Sequence, residues 1–115
     1  MGLFEGSHMK YRLETIADQS VDKEPTLPEM VDIAIDILKK NENGFFLFVE
    51  GGKIDLAHHD NRARIAVDET AEFSKAIALA RNKLSEDDTL IVVSSDHSHV
   101  MSFAGYPVMI HESIT

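Results

Sequence analysis

The amino-acid sequence predicts an α/β domain in which parallel strands are joined by crossover helices. Two short, continuously apolar runs, residues 45–49 and 89–93, are typical of strands buried on both faces. A long amphipathic helical pattern, residues 58–84, lies between them. Strand, helix and strand in this order form the βαβ unit of a parallel sheet, whose crossover is right-handed.

The composition indicates one small soluble domain covering residues 1–115. A formal net charge of −9 argues against nucleic acid or an anionic membrane surface as a partner. The absence of cysteine excludes disulfides and thiolate metal sites. No apolar run approaches the roughly 20 residues that span a bilayer, and the first residues lack the basic start and apolar core of a signal peptide.

The first third of the chain predicts a loop followed by a capped helix. Residues 12–25 are polar and irregular, which favours a surface loop. Thr26 and Glu29 have the spacing of a capping box, and Pro28 is tolerated in a first helical turn. A helix is therefore expected to begin at Thr26.

The predicted helix has an apolar stripe and a clear end. Lys39 and Lys40 suit its last turn, and Asn43-Gly44 stops it. The expected buried positions recur at helical spacing: Met30, Ala34, Ile37 and Leu38.

The long helical pattern that follows has a buried stripe and an acidic face. Glu69 and Glu72 belong, with other acidic residues of the chain, to a surface expected to be solvated. The expected buried stripe consists of Ala66, Thr70, Phe73, Ile77, Ala80 and Leu84.

Both apolar runs end in side chains that can bind metal ions. The first runs into Glu50 and the second into Asp96-His97. Because the carboxyl ends of parallel strands line the ligand crevice of an open sheet, these residues are expected at one edge. Gly51 and Gly52 allow either a sharp turn or the close approach of a ligand there.

The same edge should receive a carboxylate and an imidazole from the next helical turn. Asp55 and His59 are four residues apart and would project from one helix face. Such a pair suits zinc, whereas the hard oxygens of Glu50 suit magnesium. Converging carboxylates repel one another unless divalent cations offset their charge. The sequence therefore predicts a metal site.

At these residues the sequence resembles the animal alkaline phosphatases. Residues 44–59, GFFLFVEGGKIDLAHH, are similar to that family's central metal motif, and residues 88–100, DTLIVVSSDHSHV, are similar to its second one. Residues 2–11 and 103–107 also fit the family. The resemblance implies a fragment of the family's three-layer α/β fold, two zinc ions and one magnesium ion, and hydrolysis of phosphate monoesters through a phosphoserine.

The resemblance also implies which residues hold the metals. Glu50 would bind magnesium. Asp55 and His59 would bind the zinc that activates the attacking water. Asp96 and His97 would bind the zinc that activates the serine.

Further roles follow from the same resemblance. His58 and His99 would orient metal ligands or contact water bound to the phosphate. The carbonyl of Phe4, with Glu5 and Glu24, would form a calcium site.

The family's nucleophilic serine, its phosphate-binding arginine and two further metal ligands have no motif in this sequence. Ser94, Ser95 and Ser98 do not stand in the nucleophile's context, so no catalytic residue is assigned and the isolated chain is expected to be inactive. Leu56 stands where many animal members have histidine. The intact enzyme is expected to be a homodimer, extracellular or membrane-anchored.

Two alternatives remain open at this point. Besides the phosphomonoesterase fragment, one alternative is a non-catalytic metal-binding or interaction module derived from the same fold, and the other is a truncated product that does not fold stably. The latter has a physical basis because two parallel strands leave unpaired edges.

Overall fold

A computed structural model describes residues 1–17 and 24–102 of the chain. This part contains four helices: α1, Arg12–Ala17; α2, Leu27–Leu38; α3, Lys53–His59; and α4, Ala63–Lys83. The long helix α4 lies at the centre, since α1, α2 and α3 all contact it. None of the described helices is both long enough and apolar enough to cross a membrane.

The predicted parallel sheet is wrong for this chain, because residues 1–17 and 24–102 contain no strand. Alternate side chains of residues 45–49 instead contact the helices. Leu47 and Val49 pack against the α2–α4 contact, whereas Phe46 and Phe48 are 86% and 78% exposed. Residues 89–93 are mostly exposed as well. A strand is stabilised by hydrogen bonds to a neighbouring strand, and neither run is paired in this way within the described residues.

Helix α2 begins as predicted. The Thr26 hydroxyl accepts a hydrogen bond from the Glu29 amide, and the Glu29 carboxylate accepts one from the Thr26 amide at 2.8 Å, which completes the capping box. The predicted stripe was wrong, because the buried residues of α2 are Val31 and Ile35. Ile37, expected inside, is 58% exposed.

The two lysines expected in the last turn of α2 lie beyond its end. Lys39 is the C-cap, and the helix proper ends at Leu38. Gly44 has a φ of 83°, a conformation that favours glycine, so the predicted Asn43-Gly44 stop falls in the turn region after the helix.

The loop predicted at residues 12–25 is wrong over its first part, which forms α1, while residues 18–23 lie outside the described part. The carboxylate of Glu14 accepts a hydrogen bond from the Tyr11 amide at 3.0 Å and so caps this short helix. Its six residues are too few to establish a helical period, but the local cap and contacts with α4 stabilise it.

The single long helix predicted over 58–84 is two helices. Helix α3 ends at His59, and Asn61 adopts a φ of 54°, which a helix cannot continue through. The Arg62 amide then donates to the Ala57 carbonyl at 2.9 Å and closes the turn. Apolar spacing alone does not show such a break, because it involves three polar residues.

Two small apolar clusters hold the helices on α4. One surrounds Tyr11, Ala57, Ile65 and Ala66, and the other surrounds Val31, Ile35 and Ala76. Of the stripe expected on α4, Ala66 is buried and Thr70 is exposed.

Charged contacts add to the packing of the helices. The expected solvated acidic face was wrong at Glu72, which is 6% exposed and lies 3.5 Å from the Arg12 guanidinium. The Lys83 ammonium contacts Asp32 and Asp36 and so joins the last residue of α4 to the middle and the last turn of α2. Because Arg12 contacts Glu72, the side of α4 that faces α1 is covered and not solvated.

Candidate metal centre

Helix α3 places two of the predicted ligands on one face. Asp55 and His59 are separated by one helical turn, and the Asp55 Oδ2 atom lies 3.4 Å from His59 Nε2. The first turn forms because the Gly51 and Gly52 carbonyls accept hydrogen bonds from the Ile54 and Leu56 amides.

The pair of glycines serves a close approach rather than a special backbone conformation. Gly52 has φ −62° and ψ −16°, which any residue adopts. A Cβ atom added at Gly51 would lie 3.1 Å from the Phe73 ring. The group that approaches Gly51 is the ring of Phe73 on α4, and the close approach of a ligand stays a prediction.

Tyr11 fixes the direction of α3. Its hydroxyl donates to Asp60 Oδ2 at 3.3 Å, and two cations lie over its ring: Lys53 Nζ, 3.8 Å from the ring centre, and the Arg62 guanidinium, 4.9 Å from it. Burial, with the nearby Asp60 charge, raises the pKa of Tyr11, so it remains a neutral donor. Sequence reasoning missed this residue, because a lone tyrosine after a polar stretch carries no periodic signal.

The second polar segment reaches the same place. His97 Nε2 lies 3.8 Å from Asp55 Oδ1, and His99 Nε2 lies 3.7 Å from the same oxygen. The segment after the second apolar run therefore lies beside helix α3, although the described residues form no sheet that would bring them together, and Glu50, which directly follows the first run, is not part of this group. The ligand roles of these residues stay predictions.

The imidazole rings form a small group around this carboxylate. The His99 ring centre is 4.6 Å from that of His59, edge to face, and 5.0 Å from that of His58. Of the three histidines that contact Asp55, His99 is the most buried, with 13% of its side chain exposed against 65% for His59.

Asp96 lies at the outer side of the group. Its side chain is 84% exposed, and its Oδ2 atom is 3.4 Å from His97 Nε2. The hydrogen bond between His97 Nδ1 and the Ser98 carbonyl, 2.7 Å long, raises the pKa of His97, and the charges of Asp96 and Asp55 add to this. With its Nδ1 proton donated to Ser98, neutral His97 carries the free lone pair on Nε2.

Glu50 does not join the cluster of histidines. It is exposed and lies beside Gly52, whose added Cβ would be 3.0 Å from Glu50 Oε1. Glu50 and Asp55 do border one cavity of about 520 Å³, together with Arg12 and Lys53. The predicted magnesium ligand and the predicted zinc ligand thus face a common space.

The predicted calcium residues lie in the segment before α1. Phe4 is half-exposed and Glu5 is exposed. Glu24 accepts a hydrogen bond from the Lys10 amide at 2.7 Å, which ties it to this segment. The calcium site stays a prediction.

Leu56, which stands where many animal members of the family have histidine, is part of the apolar packing of α3. It packs on the apolar cluster of Tyr11, Ala57 and Ile65. It therefore contributes to holding α3 on α4.

The donor set fits a divalent cation. Asp55 Oδ1 is buried and has no hydrogen-bond partner, a costly state for a carboxylate oxygen unless something else satisfies it. Imidazole nitrogens and a carboxylate oxygen are the ligands that zinc accepts in the absence of cysteine. Among residues 1–17 and 24–102, Asp55, His59 and His99 alone form a group of three whose ligand atoms all lie within 4.8 Å of one another.

Comparison with known proteins identifies the family of the chain. The family model for alkaline phosphatase matches residues 1–114. The chain is 58% identical over 106 residues to a membrane-bound alkaline phosphatase of Bombyx mori, a match that covers 92% of this chain and 18% of that protein. It is 48% identical to the tissue-nonspecific alkaline phosphatases of Gallus gallus and Homo sapiens, again over 92% of this chain and 20% of each relative. The chain thus spans about a fifth of the length of the curated relatives it matches, and it belongs to the alkaline phosphatase family.

Proposed function

We propose that this chain supplies the central metal-binding part of a phosphomonoesterase that acts through a phosphoserine. The observation that carries the proposal is the convergence of His59, His97 and His99 on the Asp55 carboxylate. Membership of the alkaline phosphatase family supports hydrolysis of phosphate esters as the chemistry of the whole enzyme.

The proposed metal ligands keep the pairs implied by the sequence. Asp55 and His59 would hold one zinc ion, and Asp96 and His97 the other, while Glu50 would contribute to magnesium binding. When bound, such ions lower the pKa of a nucleophile and stabilise the charge on a leaving oxygen. His97 is already in the tautomer that a ligand needs, because its Nδ1 donates to the Ser98 carbonyl.

The residues around α3 keep the donors in position. Tyr11 and Asp60 hold the end of the helix, and Ala57, which is fully buried, seats it on α4. A site whose ligands are held before the ion arrives loses less entropy on binding.

The rest of the proposed whole enzyme lies outside these residues. A serine nucleophile, homodimer formation and an extracellular or anchored location are proposed by family, and the Bombyx mori relative is named as membrane-bound. Calcium binding is proposed within this chain, at Phe4, Glu5 and Glu24. The isolated chain should show no turnover, because no serine here is placed as a nucleophile.

The proposed function can be tested by placing this chain in a related enzyme, in place of the segment that it matches. The matching 106-residue segment of the Bombyx mori enzyme would be replaced by this chain, and hydrolysis of p-nitrophenyl phosphate measured at alkaline pH with zinc and magnesium. We expect the hybrid to be active and its Asp96→Ala variant to lose more than about 100-fold, since even residues that only support ligands are worth 10–100-fold. A folded but inactive hybrid, or an Asp96→Ala hybrid with full activity, would refute the proposal.

The second candidate is a non-catalytic metal-binding module. The observation that favours it is that three potential ligands meet within this chain alone. Activity in the hybrid would decide for the enzyme. An inactive, folded hybrid that still binds zinc would decide for the module.

A further inference from the structure

We infer that two copies of this chain associate through an apolar surface formed by the outward side chains of its two apolar runs. We call this surface the outer face, and it consists of Phe46, Phe48, Leu90 and Val92. The inference uses none of the proposed metal ligands, so it can hold or fail independently of the proposed function.

The two apolar runs start and end at neighbouring places. Lys39, a few residues before the first run, donates from Nζ to the carbonyl of Lys83, a few residues before the second run, at 3.2 Å. At the other end, Glu50 follows the first run and borders the same cavity as Asp55. His97, which follows the second run, lies 3.8 Å from the Asp55 carboxylate. The two runs therefore extend in the same direction between the same two ends of the helical layer.

Each run turns one row of side chains towards solvent. In the first run this row is the pair of exposed phenylalanines, because the side chains between them pack on α2 and α4. The second run repeats the alternation: Leu90 and Val92 are 87% and 77% exposed, against 37% and 51% for Ile91 and Val93. Alternate side chains of an extended backbone lie on opposite sides. The two exposed rows therefore form one surface on the side away from the helices.

The outer face has about the apolar area that a dimer interface needs. Burial of an aromatic side chain removes about 150–250 Å² from water and that of a valine or leucine about 60–120 Å², so these four exposed side chains offer roughly 350–600 Å² per copy. A standard interface buries about 800 Å² on each partner, of which about 60%, or about 480 Å², is apolar. Residues 45–49 and 89–93 contain no charged residue, so two such faces can meet without burying a charge within them.

The charge of the chain favours a second copy over a membrane surface as the occupant. A formal net charge of −9 opposes binding to anionic lipid. A two-fold pair instead brings the same uncharged face of both copies together, so each face complements the other. The remaining charges of the two copies repel each other, and salt screens this repulsion. The pair should therefore be of micromolar affinity and should become tighter as the salt concentration rises.

The test measures the oligomeric state of the full chain by sedimentation equilibrium. A chelator is present throughout, so that no metal ion bridges two copies. We expect a reversible monomer–dimer equilibrium whose dissociation constant falls at least about threefold between about 50 and 500 mM sodium chloride. We expect Phe48→Ser to weaken association at least about tenfold, since aromatic side chains at the centre of an interface contribute most to binding.

A matched pair of valines provides the control. Val92 belongs to the outer face, whereas Val67 lies on α4 outside it, and the two are similarly exposed, at 77% and 71%. We expect Val92→Ser to weaken association at least about threefold and Val67→Ser to leave it unchanged. In dilute solution, where the chain is monomeric, both variants and Phe48→Ser should melt at nearly the temperature of the unsubstituted chain, because exposed side chains contribute little to the stability of a monomer.

Several results would overturn the inference. The chain could remain monomeric at every concentration, or it could continue to grow beyond the dimer. A dimer that Phe48→Ser and Val92→Ser leave intact would use another surface, and association that weakens with salt would depend on charged contacts. If the chain is monomeric and Phe48→Ser destabilises it as much as Leu47→Ala, another segment of the same chain covers the outer face.

Discussion

The buried carboxylate of Glu72, on α4, lies 3.5 Å from the guanidinium Nε of Arg12, at the start of α1. Glu72→Ala would leave Arg12 without its acidic partner in a partly buried position. We expect the free energy of unfolding to fall by about 1–3 kcal/mol, which urea denaturation would measure.

The matched control for Glu72 is Glu86→Ala. Glu86 pairs with Arg81 at 2.5 Å, but both side chains are about two-thirds exposed or more, at 68% and 70%. Solvent screens such pairs, so we expect a change below about 0.5 kcal/mol. Equal losses in the two variants would contradict the role given to burial.

Glu29 should contribute to the acid sensitivity of folding. Hydrogen bonds from the Thr26 amide and hydroxyl lower the pKa of Glu29 below its ordinary value of 4.5. A carboxyl with a lowered pKa stabilises the fold above the unfolded-state value, and this contribution disappears as pH falls through the folded value. Between about pH 6 and pH 3, the Glu29→Gln variant should therefore lose less stability on acidification than the unsubstituted chain. Melting temperatures measured across this pH range would show the difference. An unchanged acid profile would count against the capping box.

Glu69 should affect the pH dependence of folding stability in the opposite direction. Burial raises its pKa above 4.5, although the Arg12 amide donates to it at 2.6 Å and partly offsets the shift. A raised carboxyl pKa gives a contribution that is present below the unfolded value and is lost as pH rises through the folded value. Glu69→Gln should thus raise the melting temperature more at neutral pH than in acid. A larger gain in acid would contradict this assignment.

The apolar run 45–49 offers a paired test of its two faces. Leu47 packs against the α2–α4 cluster, and Leu47→Ala should destabilise the fold by about 1–2 kcal/mol, below the cost at fully buried sites. Phe48 is 78% exposed, and Phe48→Ser should change the unfolding free energy by less than about 0.5 kcal/mol. Chemical denaturation of both variants checks this assignment of the two faces. A larger loss of unfolding free energy in Phe48→Ser than in Leu47→Ala would contradict it.

The two glycines before α3 should differ in their tolerance of alanine. A Cβ at Gly51 meets the Phe73 ring at 3.1 Å, so Gly51→Ala should cost about 1–2 kcal/mol through displaced packing. At Gly52 the nearest atom is the end of the flexible Glu50 side chain, and the backbone is already helical, so alanine there should be neutral or stabilising. Thermal melting distinguishes them, and equal effects would show that Phe73 does not constrain Gly51.

Local chemistry made part of this structure predictable from sequence. The Thr26–Glu29 capping box was readable because it depends on two residues three apart. The meeting of Asp55, His59 and His97 was also anticipated, although from a sheet that the described residues do not form.

The rest depends on contacts distant in sequence. Apolar content alone favoured strands at 45–49 and 89–93, but a strand forms only where a neighbour supplies hydrogen bonds. The Arg12–Glu72 contact joins residues far apart along the chain, so Glu72 looked like one more solvated acid.

The turn at Asn61 separates the helix carrying Asp55 and His59 from the much longer helix after it. In one continuous helix, a shift in phase anywhere along its length would rotate every side chain with it. Here the shorter helix takes its orientation from Ala57 seated on its neighbours and from the Tyr11–Asp60 link. Bending or twisting in the distal turns of the longer helix is therefore not transmitted through a continuous helix to the two ligands.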